Sequence, residues 1–126
     1  MKAKTEKAKC GKRGEDAASR YLRRRGYKII DRNLRIRHKE LDIIAENKEY
    51  IVFVEVKTHS GKRSDDGSFG SPAHAVNRKK RENTISCARS YLSSHPCQKQ
   101  PRIDVIEVWL GGIFPKVNHI VNAVKS

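Results

Sequence analysis

Residues 50–58, YIVFVEVKT, constrain the fold of this chain more than any other segment. A nearly continuous apolar run of this length is typical of a strand covered on both faces, so it predicts a central strand in a sheet flanked by helices. Glu55 and Lys57 interrupt the run and share one face of the strand, because side chains alternate along it. Charged groups in such a strand are costly unless they are paired or bind a ligand.

The rest of the chain alternates between helical and strand patterns. In order, they predict a helix at 14–25, strands at 27–36 (with a bend or bulge at 31–33), 41–45 and 50–58, a loop at 60–71, a helix at 72–93, a strand at 103–110, and either an edge strand or a short terminal helix at 117–124. This order predicts one α/β sandwich in which a central mixed sheet is flanked by helices.

The length of 126 residues allows one hydrophobic core and is too short for two, which excludes multidomain enzymes. Residues 1–10 are predicted to be a basic flexible tail, and residues 11–126 a single domain. No apolar run approaches the roughly 20 residues that cross a bilayer, and the lysine-rich start lacks the apolar stretch of a secretory signal. We therefore expect a cytoplasmic protein without membrane association.

The net charge of +14 on so small a protein predicts a polyanionic partner, and nucleic acid is the first expectation. Two basic clusters, one on each predicted helix, are the candidate phosphate contacts: Arg23, Arg24, Arg25, Lys79, Lys80 and Arg81. Residues 40–77, in contrast, hold more acidic than basic residues. This segment is either a solvated acidic face or a cation site beside a phosphate-binding surface.

Glu40 and Asp42 lie two residues apart at the start of the first hairpin strand, and antiparallel pairing would bring them near Glu55 and Lys57. Clustered carboxylates repel, and a divalent ion bound by two carboxylates, waters and a phosphate oxygen relieves that repulsion. With Lys57 orienting or deprotonating a water, or stabilising charge on phosphorus, the cluster predicts phosphodiester hydrolysis with Mg²⁺ or Mn²⁺. The alternative is a solvent-facing cross-strand ion pair without catalysis.

Asp42, followed after twelve residues by Glu55-Val56-Lys57, resembles the PD-(D/E)-x-K nuclease motif. Residues 11–124 resemble, more specifically, the YraN-like family of uncharacterised bacterial proteins, which is distantly similar to archaeal Holliday-junction resolvases. The blocks that carry the resemblance are GKRGEDAASRYLRRRGY, NLRIRHKELDIIA, VFVEVKT, AVNRKKRENTISCARSYL, RIDVIEV and HIVNAV.

The resemblance implies a restriction-endonuclease-like fold, hence a nuclease-like domain, and DNA as the partner, with branched duplex DNA as the expected substrate. It implies that Asp42 and Glu55 are metal ligands, that Lys57 is the catalytic lysine and that Glu40 is a further acid of the site. Glu15 matches an acid that completes the metal site in the similar resolvases. It is equally well explained as a first-turn acid favoured by the helix macrodipole.

Other matching positions are less directly tied to catalysis. Lys80 matches a helix lysine that could meet a phosphate, and Arg102 and Asp104 match a strand pair whose expected role is structural. The chain departs from the family pattern at Lys39, where the family has glycine, and at His59, where it favours arginine.

Two other functions fit the same composition. One is a non-catalytic nucleic-acid-binding module or accessory factor that keeps the nuclease fold without turnover, and the other is a basic RNA-binding protein of the ribosomal kind. Symmetric cuts on a junction need two active sites, so a homodimer is part of the nuclease hypothesis.

Overall fold

A computed structural model describes residues 6–62 and 78–123. Its elements are α1 (Glu6–Arg24), β1 (Lys28–Ile36), β2 (Lys39–Glu46), β3 (Tyr50–His59), α2 (Arg78–Ser94), β4 (Gln100–Trp109) and β5 (Lys116–Ile120). The five strands form one sheet in the order β1-β2-β3-β4-β5. β3 and β4 run parallel, and the other neighbours are antiparallel. The predicted α/β sandwich with a central mixed sheet is confirmed.

The two helices cover opposite faces of the sheet. Ala17, Ala18 and Leu22 of α1 belong to one buried cluster with side chains of β2, β3 and β4. On the other face, Ala88 and Tyr91 of α2 pack in a second cluster with further side chains of the same strands. Both faces of β3 are therefore covered, which explains its apolar sequence and agrees with a restriction-endonuclease-like sandwich. No helix in the described part of the chain has the length and apolar character needed to span a bilayer.

The helix boundaries differ from the prediction. α1 begins at Glu6, eight residues before the predicted start, so residues 6–10 lie in a helix rather than in the predicted tail. Lysine, alanine and glutamate are good helix formers, but this stretch lacks the apolar periodicity on which the prediction rested. The second helix was predicted from Pro72, and residues 72–77 lie outside the described ranges. α2 is described from Arg78 onwards.

The two uncertain strand features have definite positions. The register of β1 against β2 shifts between Ile29 and Asp31, just before the predicted bend. Within that bend, Asn33 has a left-handed backbone with φ of 54°. Of the two alternatives for the end of the chain, the edge strand is confirmed, because β5 pairs antiparallel with β4.

A buried polar network joins β4 to β5 and α1. The fully buried carboxylate of Asp104 accepts hydrogen bonds from Arg102 Nε at 2.9 Å and Nη2 at 2.8 Å, and lies 2.6 Å from His119 Nε2 of β5. The other ring nitrogen of His119 lies 3.2 Å from the Tyr21 hydroxyl of α1. Burial opposes ionisation of Asp104, but hydrogen bonds from His119 and Arg102 outweigh it and lower its pKa. The predicted structural role of Arg102 and Asp104 agrees with this arrangement.

Gly14 sets the distance between α1 and β3. A Cβ at this position would overlap the Thr58 side chain, including the immobile Thr58 Cβ at 2.8 Å, so a rotamer change cannot make room. The helix residue beside Gly14 is Glu15, and the strand residue beside Thr58 is Lys57. The close approach therefore fixes the Glu15 segment of α1 against the end of β3, whereas the Lys57 side chain points to the opposite face of the strand.

Gly14→Ala is expected to destabilise the protein by roughly 1–3 kcal/mol, because α1 must move away from β3. Gly11→Ala on the same helix is the matched control. A Cβ at Gly11 meets nothing within 4 Å, so alanine there should stabilise the helix by about 0.5–1 kcal/mol. Urea denaturation of both variants measures the difference. Equal effects of the two substitutions would contradict the close packing of α1 on β3.

Candidate active site

The hairpin of β2 and β3 positions the predicted acids. Its ladder runs from the pair Glu46–Ile51 to the pair Ile43–Val54 and ends there. Immediately beyond the last pair, Asp42 Oδ2 accepts a hydrogen bond from the backbone N–H of Val56 at 2.8 Å. The Asp42 side chain thus joins the two strands where their main-chain pairing stops, beside Glu55 on β3.

A cleft of about 540 Å³ opens at this point, between the β2–β3 hairpin and the beginning of α2. The described side chains around it include three acids and three bases: Glu40, Asp42, Glu55, Arg35, Lys39 and Lys79. Lys79 comes from the basic start of α2, and the other two bases come from β1 and β2. The cleft therefore combines carboxylates with cations that can bind phosphate.

The predicted acids occupy different depths of this cleft. Glu55 is buried, with 7% of its surface exposed, whereas Glu40 lies at the rim in an exposed ion pair, 2.7 Å from Arg35. Lys57 is outside the described lining of the cleft and lies two residues beyond Glu55 on the same face of β3. The hairpin thus brings Asp42, Glu55 and Glu40 to one cleft and leaves Lys57 beside it.

Glu15 of α1 approaches the same acids from the helix. Its pKa is raised, first by burial and then by the negative charge of Asp42, with a smaller contribution from Glu40. Arg32 Nη2 lies 3.8 Å from Glu15 Oε1 and opposes this effect. The negative charges of Asp42 and Glu40 therefore disfavour ionisation of Glu15.

A divalent ion requires several oxygen ligands at close range. Among the described residues, no three His, Cys, Asp or Glu side chains are grouped closely enough to hold a metal. The predicted triad of Asp42, Glu55 and Glu15 is therefore not assembled as a preformed cage. Mg²⁺ is commonly held by only one or two carboxylates, with waters and substrate phosphate completing its shell. Asp42 and Glu55, which line one cleft, fit that smaller donor set.

The predicted nucleic-acid contacts fall in two places. Arg23, Arg24 and Arg25 are exposed at the C-terminal end of α1. Arg24 is nine residues beyond Glu15, which corresponds to roughly 13 Å along the helix. Lys79 and Arg81 are exposed at the start of α2, and Lys79 lines the cleft. The Lys80 side chain lies outside the described part of the chain.

The family model described as Uncharacterised protein family UPF0102 matches residues 14–108 of this chain. The chain belongs to that family. This UPF0102 chain is 42% identical over 124 residues to a UPF0102 protein of Caldanaerobacter subterraneus, covering 95% of this chain and 98% of the relative. It is also 44% identical over 112 residues to one from Syntrophomonas wolfei (87% and 92% covered) and 44% over 118 residues to one from Alkaliphilus oremlandii (91% and 97% covered). The YraN-like assignment is confirmed.

The matched span of this UPF0102 protein includes a buried acid that the sequence reasoning missed. Glu107 on β4 is fully buried and stands in register with Lys57 on β3. Its carboxylate accepts a hydrogen bond from Asn118 Nδ2 at 3.1 Å and lies 3.2 Å from His59 Nε2. The sequence does contain a signal for it, because Glu107 interrupts an apolar strand as Glu55 does.

Lys39 and His59, the two positions expected to depart from the family pattern, have specific contacts in this UPF0102 protein. Lys39 lines the cleft and donates a hydrogen bond from Nζ to Ser86 Oγ of α2 at 3.1 Å. His59 stacks on Trp109, with ring centroids 4.9 Å apart, and contacts Glu107. Lys39 thus adds positive charge to the wall of the cleft, and His59 joins the ends of β3 and β4.

Proposed function

We propose that this UPF0102 protein is a metal-dependent DNA endonuclease that hydrolyses phosphodiester bonds, with branched duplex DNA as its substrate. One observation carries the proposal: Asp42 and Glu55, from two strands, line one cleft that basic side chains also line. Carboxylates that hold a hard cation beside cations that hold phosphate are the combination that metal-assisted phosphodiester hydrolysis requires. A cytoplasmic location and action as a pair of subunits on a junction belong to the same proposal.

Asp42 and Glu55 are the residues that would hold Mg²⁺ or Mn²⁺. When bound, the ion supplies positive charge at the scissile phosphate and acidifies water at neutral pH. The hydrogen bond from Val56 N–H to Asp42 fixes the orientation of one carboxylate. The burial of Glu55 restricts the movement of the other. The protein therefore pre-orients two anionic oxygen donors before any substrate arrives.

The basic residues of the cleft bind and orient the substrate in this proposal. Lys39 and Lys79 line the cleft from β2 and α2, so both can contact phosphates of a strand lying in it. Arg35 stands at the rim, paired with Glu40. Lys57 is further along β3, where its ammonium would orient the attacking water or stabilise negative charge on the phosphorus.

The test is cleavage of labelled DNA by the purified protein. Four-way junction, flap and linear duplex substrates are incubated with Mg²⁺, with Mn²⁺ and with EDTA. We expect cleavage that requires the metal and is lost in Lys57→Ala. Cleavage that persists in Lys57→Ala and Glu55→Gln would come from a contaminating nuclease and would overturn the proposal.

A non-catalytic DNA-binding module is the alternative outcome, because the exposed basic residues at the end of α1 and the start of α2 would serve DNA binding with or without hydrolysis. Calorimetry separates the two functions. The nuclease hypothesis requires that the wild-type protein binds Mn²⁺ and that Asp42→Ala does not. Absence of heat in both, together with tight DNA binding, would establish the binding module instead.

A further inference from the structure

The connection between β4 and β5 exposes two large apolar side chains at its apex. Ile113 is 94% exposed and Phe114 is 77% exposed, and the two residues are adjacent. We call this pair the β4–β5 tip. Neither side chain contributes to the two buried clusters that hold the sandwich together. Folding of the described chain therefore gives no reason for apolar residues at these positions.

The base of the tip is held firmly on the end of β3. Leu110 N–H donates to the His59 carbonyl at 2.9 Å, and Gly111 N–H donates to the Gly61 carbonyl at 3.0 Å. Gly111 packs so closely on residues 61–62 that an added Cβ would lie 2.6 Å from Lys62 N. The position at which the chain leaves the sheet is thus fixed, and the apolar pair is presented from an anchored base.

The tip lies at the same end of the sheet as the candidate active site. β3 and β4 are parallel, so their C-terminal ends lie at the same end of the sheet. His59 is paired with Trp109 there. Glu55 is four residues before His59 on β3. Four residues span about 13 Å, so the tip is roughly 15–20 Å from the acids, or about five steps along a nucleic acid strand.

The surroundings of the tip favour a nucleic acid as its occupant. Lys62 and Lys116 are both exposed beside it, on a protein whose net charge is +14. An unstacked base offers an apolar face, and the phosphates on either side of it are negatively charged. The apolar tip and the two lysines beside it complement these two features. Stacking of a base on an aromatic ring contributes about 1–3 kcal/mol, and apolar side chains of this kind insert where bases are unstacked. The tip has a single aromatic ring, that of Phe114, so it can stack on one base and not on a run of bases.

We propose that the β4–β5 tip binds one unstacked base at a branch or flap and thereby makes the protein prefer branched over continuous duplex DNA. This inference rests on the proposed function and adds to it the residues that would recognise the branch. A continuous duplex keeps its bases stacked, so the tip has no partner there. The scissile bond would lie about five nucleotides from the branch.

Fluorescence of 2-aminopurine tests the contact without hydrolysis. A flap carrying 2-aminopurine as its first unpaired base is titrated with protein in EDTA, and a continuous duplex of the same length serves as comparison. We expect a change in fluorescence and about tenfold tighter binding of the flap, corresponding to about 1.4 kcal/mol. Phe114→Ala should abolish the preference and leave duplex affinity unchanged, and Phe114→Trp should retain it. Val121→Ala, at an exposed apolar residue outside the tip, is the matched control.

Three results with the Phe114→Ala variant would overturn the inference. The first is a flap preference that persists in Phe114→Ala, and the second is an equal loss of affinity for flap and duplex. The third is that Phe114→Ala changes only self-association or binding to anionic phospholipid vesicles, which would assign the tip to another partner. A wild-type protein that cleaves DNA without preferring the flap overturns the tip assignment alone. A protein that shows the preference and never hydrolyses DNA overturns the proposed function alone.

Discussion

Asp42→Asn is expected to fold normally and to hydrolyse DNA at least about a thousandfold more slowly than the wild-type protein. The amide oxygen of asparagine can still accept the hydrogen bond from Val56 N–H, so the join between β2 and β3 is preserved. The substitution removes the negative charge that would hold the ion. Loss of that ion removes several kcal/mol of transition-state stabilisation, and each 1.36 kcal/mol is a factor of ten in rate.

Glu49→Gln controls for the change in net charge. Glu49 is exposed in the turn between β2 and β3, away from the cleft, so its neutralisation should leave hydrolysis unchanged. Single-turnover cleavage and DNA binding in EDTA are measured for both variants. Asp42→Asn should bind DNA at least as tightly as wild type, because a charge that repels phosphate is gone. Hydrolysis by Asp42→Asn at the wild-type rate would show that Asp42 is not part of the active site.

Asp104→Ala is expected to lower the free energy of unfolding by about 3–5 kcal/mol, because it leaves the Arg102 guanidinium buried without its carboxylate. Only 9% of the Arg102 side chain is exposed, so water cannot replace the lost partner. The substitution also removes the contact with His119 on β5. Thermal unfolding should show a decrease in Tm of roughly 10–25 °C, and Asp104→Asn, which keeps an acceptor oxygen, should show a smaller one.

The same carboxylate predicts a pH dependence. The folded-state pKa of Asp104 lies below its ordinary value of 3.8, so its stabilisation is fully present above that value. The stabilisation is lost as the pH falls through the lower, folded-state pKa. Urea denaturation should therefore show that the wild-type protein loses stability as the pH is lowered from 5. The Asp104→Ala variant should lose less stability over the same pH range. Identical acid profiles for the two proteins would contradict the lowered pKa.

The apolar strands are the part of the fold that the sequence predicts best. Residues 50–58 were predicted as a strand and β3 is Tyr50–His59, because an apolar run has sharp ends and a burial requirement that only a central strand meets. The start of α1 was missed by eight residues, since residues 6–13 form a helix without an apolar face that would reveal it. Local propensity without periodicity does not indicate where a helix begins.

Some contacts of the candidate site could likewise be predicted from the sequence, and others could not. Asp42 and Glu55 could be predicted to meet, because the hairpin register follows from alternation and a short turn. The position of Glu107 beside Lys57 depends on the register of two parallel strands joined by a long crossover, which no local pattern specifies. Likewise, Lys39 in the cleft wall contacts Ser86 of α2, which is 47 residues away in the chain. Contacts of this kind are set by packing between elements.

The parallel pairing of β3 with β4 has a consequence during synthesis on the ribosome. Tyr50 pairs with Gln100, so about fifty residues must be made before the second edge of β3 is covered. At 5–20 residues per second this takes roughly 3–10 s. Throughout that interval the backbone N–H and C=O groups along one edge of the uncharged IVFV segment have no partner strand. Unpaired apolar strands of this kind can pair with strands of other chains and aggregate. We therefore expect nascent copies of this protein to aggregate more during rapid overexpression at 37 °C than during slow expression at low temperature, which the soluble fraction of each culture measures.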